Sequence, residues 1–144
     1  MFLFDEIDAP LARELPSIAD LWWFLPFGYI FTILIETSVL VIGLPKPVTL
    51  RQRLLCGVWL TACTYPIVIL VLPALMATAT RSEYLLVAET FAPVAECMMF
   101  WLVFRRSDLT PAAWLQAMVA IVIANPASFC AGEIMNHYAW FGLF

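Results

Sequence analysis

The sequence predicts an all-α integral membrane protein: four transmembrane helices in a pattern compatible with two tandem helical hairpins, preceded by a short N-terminal interfacial helix. Three observations carry this. The 144-residue chain is 64% hydrophobic and 12% charged, whereas a soluble domain is apolar over roughly half its residues. Four long apolar stretches fill nearly everything after residue 20, and Lys and Arg gather in two of the three connections between them. Continuous runs of this kind exclude a transmembrane β-barrel, whose strands alternate apolar and polar residues over about 10 positions.

Residues 1–20 form an amphipathic acidic segment, expected at the outer interface. Phe4, Ile7, Leu11, Leu15 and Ile18 recur at steps of three and four, the period of one helix face, and Pro10 and Pro16 divide the stretch into short turns. Its acidity argues against attachment to anionic lipid. It also lacks the basic start of a signal peptide, so the first span is expected to remain in the mature protein.

The spans follow as a four-helix transmembrane domain over residues 21–144. A bilayer core of roughly 30 Å needs about 20 apolar residues, and residues 21–44, 54–80, 84–104 and 112–135 each supply them. Glu36 interrupts the first, the second holds no charge, and the third carries Glu89 and Glu96. Lys46, Arg51 and Arg53 lie between the first two spans and Arg105 and Arg106 between the last two. Basic loops stay on the cytoplasmic side, so both termini are expected outside, in a bacterial inner membrane. The aromatic pairs Trp22 with Trp23 and Trp101 with Trp114, and residues Tyr138 to Phe141, fit interfacial belts. A shift of 60 residues lays Glu36 on Glu96, Leu55 on Leu115 and Pro66 on Pro126, the basis for reading two hairpins.

Ionisable groups inside spans mark pathways or pairings, because a charge in hydrocarbon is costly. Glu89 and Glu96 are seven apart, nearly on one helix face, with Pro93 between them. Two such acids resist ionising together. Thr32, Glu36 and Gly43 share a face of the first span; Gly57, Thr61 and Thr64 form a stripe on the second; Asn125, Ser128 and Gly132 form one on the fourth. The expected ion or substrate path is Glu36, Glu89, Glu96, Asn125, Thr64 and Ser128, with helix kinks at Pro66, Pro93 and Pro126. Pro73 is a further proline within a span, and Thr64, Tyr65 and Asn125 stand beside prolines where they could satisfy a freed carbonyl. Glu36 is about two turns from the first basic loop, within reach of Arg51 or Arg53, and Arg81 faces Glu83. The bland alternative is that the Ser, Thr, Gly and Asn stripes only pack helices, each hydrogen bond contributing ~0.6–2 kcal/mol.

Other chemistry finds little support. Cys56, Cys63, Cys97 and Cys130 form no CxxC pair, and Glu133 with His137 falls short of a metal site. No phosphate loop, nucleophile elbow or HExxH occurs, and connections of about ten residues leave no room for a nucleotide site. No cofactor, metal or nucleic acid is therefore expected, and a non-enzymatic role is favoured. The leading expectation is proton- or cation-linked translocation by a homo-oligomer or within a larger membrane complex. The rival is a non-catalytic accessory or assembly subunit whose glutamates pair with a partner's Arg or Lys. An enzyme acting on a lipid-soluble substrate comes third.

Overall fold

A computed structural model describes the backbone of residues 18–137 and the side chains of residues 25–135. The amphipathic stripe of residues 1–17, the Trp22 and Trp23 belt, the Tyr138 to Phe141 belt and the His137 side chain lie outside the described residues. The described chain is helical: α1 (Ile18–Gly43), α2 (Leu50–Leu75), α3 (Arg81–Phe104) and α4 (Pro111–His137). All four are long and apolar enough to cross a membrane.

α2, α3 and α4 begin where threonines cap them. Thr49 and Gln52 form a capping box at the start of α2, and Thr80 and Glu83 repeat it at α3. Thr110 Oγ1 accepts from the Ala113 amide ahead of α4, whose first residue is Pro111. These caps set α2 and α3 a few residues earlier than the apolar runs at 54 and 84. The second run also ends sooner, at Leu75 rather than 80, because residues 76–79 turn toward the next cap. With Glu83 committed to its cap, Arg81 pairs with Glu133 of α4 at 2.9 Å instead of facing Glu83.

α1 ends at Gly43, where its last carbonyls need donors. Arg53 supplies one and holds the connection: Nη1 donates to Val41 O of α1 at 2.6 Å, while Nη2 donates to Pro45 O at 3.0 Å and Nε to Val48 O at 2.9 Å in the connection. The guanidinium thus pins the first connection and α1 together, and is not a partner for Glu36. α2 changes pitch midway. After Pro66 the segment Ile67–Val71 is π-helical, followed by a short α-helical piece, Leu72–Leu75. Pro73 has no N–H to offer, and Tyr84 Oη donates to Val68 O at 2.9 Å from α3. α4 runs through Pro126 without such a break, so the two aligned prolines have different local structures.

α1 packs against α2 and α4, and α3 against the same two, closing a ring in chain order. Short connections make ring neighbours antiparallel, so α2 and α4 run the same way. Small residues allow close approach. A Cβ on Gly57 would stand 2.7 Å from Thr37 Cα, and one on Gly43 would stand 2.8 Å from Ala120 Cβ. The apolar core fills the half of the bundle nearer the basic connections: Leu40, Leu44, Leu60, Phe100, Phe104, Ala117 and Ile121, among others. Phe100 stacks on Phe104 at 4.4 Å and meets Trp114 edge-on at 5.8 Å. Above this core the interior turns polar.

Candidate functional site

Glu36 of α1 is 4% exposed and Glu96 of α3 is 1% exposed. Each carboxyl bridges α2 and α4. Thr61 Oγ1 and Ser128 Oγ lie 2.5 and 2.8 Å from Glu36 Oε2 and Oε1. Thr64 Oγ1 and Asn125 Nδ2 each lie 2.8 Å from Glu96 Oε1 and Oε2. Two acids from opposite helices thus share one interior with four neutral polar side chains. Among the described residues no Lys or Arg pairs with either carboxyl.

Register places both carboxyls at about one level. Thr64 and Asn125 each stand fifteen residues past the caps Thr49 and Thr110. Thr61 and Ser128 stand one turn to either side of that level, so Glu36 spans it from both directions. One turn toward the basic connections, every helix contributes an apolar side chain: Leu40, Leu60, Phe100 and Ile121, all essentially fully buried. On the opposite side the corresponding residues, Thr32, Val68, Ala92 and Phe129, are only half-buried, as is Gly132 about one turn further on. A Cβ on Gly132 would meet nothing within 4 Å. The site is sealed at one end and loosely packed at the other.

The proton inventory limits what this arrangement holds. A hydroxyl has one proton, yet Thr61, Thr64 and Ser128 each lie near two acceptors. Besides its carboxyl, each faces a carbonyl of its own helix: Gly57 O at 2.7 Å, Leu60 O at 3.1 Å and Asn125 O at 2.8 Å. Asn125 spends its two amide protons on Glu96 and Ile121 O. At Glu96 four contacts therefore share three protons if the acid is ionised, and a carboxyl proton donated to Thr64 makes the count equal. Proton occupancy of the acids and the direction of the hydroxyl bonds are coupled.

Five of the six residues expected on the path, Glu36, Glu96, Asn125, Thr64 and Ser128, come together here. The sixth does not: Glu89, on α3, is half-buried and accepts no hydrogen bond. Seven residues place two acids near one face, but the bundle encloses that face only at the depth of Glu96. Thr61 completes the site and was signalled by its stripe with Gly57 and Thr64. Thr64 and Asn125 bond Leu60 O and Ile121 O rather than the carbonyls of Ala62 and Val122 that Pro66 and Pro126 release. No group of three or more His, Cys, Asp or Glu converges among the described residues. Comparison of the chain with protein-family models, curated proteins and solved structures found no match.

Proposed function

We propose that this chain is a membrane protein carrying out proton- or cation-linked translocation, with the buried pair Glu36 and Glu96 as the site at which the ion is exchanged, working as a homo-oligomer or within a larger membrane complex. The observation that carries this reading is the pair of buried carboxyls at one level, held only by neutral donors. A carboxylate in such a place is costly unless it meets a cation or takes up a proton. Four helices enclose little beyond this pair, which is why further subunits enter the proposal. In this reading the bundle sits in a bacterial inner membrane with the basic connections cytoplasmic and both termini outside.

The accessory-subunit alternative needs a carboxylate turned toward a partner. Glu36 and Glu96 face inward and are unavailable for that. Glu89 alone faces partly outward, so a contact with another subunit would form there.

The test is ion flux in sealed proteoliposomes carrying a pH-sensitive dye. Gln keeps the shape of Glu but cannot ionise, so the double variant Glu36→Gln/Glu96→Gln should insert and assemble as the wild type does while losing flux. Wild-type flux in the double variant would remove the proposal. Failed assembly in Glu89→Gln, with the double variant assembling normally, would favour the accessory role.

A further inference from the structure

Resting on that proton-linked reading, we infer that the two carboxyls have different roles: Glu36 takes up and releases the proton, through Ser128, toward the end of the bundle that carries the 76–80 connection, while Glu96 is its fixed positioning partner. The distinction comes from the donors. Both oxygens of Glu36 meet hydroxyls, and a hydroxyl can accept one proton as it gives up another. One oxygen of Glu96 meets the Asn125 amide, which donates but does not relay. Glu96 can therefore exchange only through Thr64, which lies one helical turn from the buried Leu60.

Position points the same way. Ser128 is one turn beyond Asn125 on the side of the loosely packed layer. Toward the opposite end the Thr61 hydroxyl reaches, beyond Glu36, the backbone carbonyl Gly57 O, and Leu40, Leu60, Phe100 and Ile121 around it are apolar side chains that carry no proton. Ser128 is also less deeply buried than Thr61, and Glu36 less than Glu96. Among the described residues Glu96 and Glu89, both on α3, interact electrostatically with Glu36. α2 and α4 face it with the hydroxyls of Thr61 and Ser128.

The step balances with water as the only co-reactant. A hydronium ion at the open end gives a proton to Ser128 Oγ as the Ser128 proton passes to ionised Glu36 Oε1. A neutral acid, a neutral serine and a water molecule remain. Release is the reverse.

Deuterium exchange of the carboxyl groups, followed by infrared spectroscopy on protein in lipid, tests this without requiring transport. The C=O signal lost in Glu36→Gln should exchange first, and slow by about 100-fold in Ser128→Ala, the scale on which a positioned proton donor acts. Ser128→Thr should restore the rate, separating the hydroxyl's role from simple packing. The signal lost in Glu96→Gln should exchange slowly in every background. Flux should likewise fall in Glu36→Gln and Ser128→Ala, and Glu96→Gln should displace its pH profile. Faster exchange at Glu96, or a rate at Glu36 indifferent to Ser128→Ala, would overturn the assignment even if flux depends on the pair. Equal flux in the wild type and the double glutamine variant would instead sink the translocation reading, leaving the exchange order to be decided by the spectra.

Discussion

Arg53 shows how one residue can be allocated more than once from the sequence and only once in the fold. It was a natural counter-ion for Glu36, two turns from the loop, but one carbonyl of α1 and two of the following connection engage all three of its nitrogens. A lysine cannot span them, since it is a point donor on a flexible stem. Arg53→Lys should therefore lower thermal stability in detergent by about 1–3 kcal/mol, near the effect of Arg53→Ala. Full stability in Arg53→Lys would show that the fork geometry is unimportant. Thr64→Val is a second residue-scale test. It keeps the shape and removes the hydroxyl, leaving Glu96 Oε1 without a partner at a cost of about 1–3 kcal/mol, while the exposed Thr90→Val should be nearly neutral in the same unfolding assay. The glutamates were visible as exceptions in apolar runs. Which of them meet was not, because period along one helix says nothing about which residue of another helix stands opposite.

At the scale of the elements, hydropathy located the four helices but set the starts of α2 and α3 four and three residues late, and that of α1 three residues late. The correcting signals, Thr49 with Gln52 and Thr80 with Glu83, are capping boxes written in the sequence. The π-helical turn between Pro66 and Pro73 was legible only as two prolines, since its pitch depends on Tyr84 reaching it from another helix. Tyr84→Phe should loosen that turn, seen as faster amide exchange over residues 67–73 with α4 unaffected; unchanged protection would mean the hydroxyl does not brace it. Glycines divide in the same manner. Gly57→Ala forces α1 and α2 apart because the new methyl meets the backbone of Thr37, and should destabilise by about 1–3 kcal/mol. Gly132→Ala enters open space and should be neutral. Matching losses at both positions, measured by thermal unfolding, would contradict the packing described here.

The molecule as a whole is apolar around one buried polar level at Glu36 and Glu96, with the tightly packed apolar core on the side of the basic connections. Composition alone made a membrane the expected surroundings, and lysine and arginine placement set an expected orientation. Reporter fusions should then place residues 46–53 and 105–108 in the cytoplasm and residue 82 outside; a cytoplasmic signal at residue 82 would reverse the topology. The sealed and open ends of the polar interior emerge only when four helices are set in register, since Leu40, Leu60, Phe100 and Ile121 are unremarkable in their own runs. Everything proposed for this interior rests on exchangeable protons at its two acids. Potentiometric titration of the protein in lipid measures them directly, comparing the wild type with Glu36→Gln/Glu96→Gln while both remain folded. The wild type should bind and release more protons across the titration than the double variant, and superimposable curves for the two would show that these carboxyls exchange none.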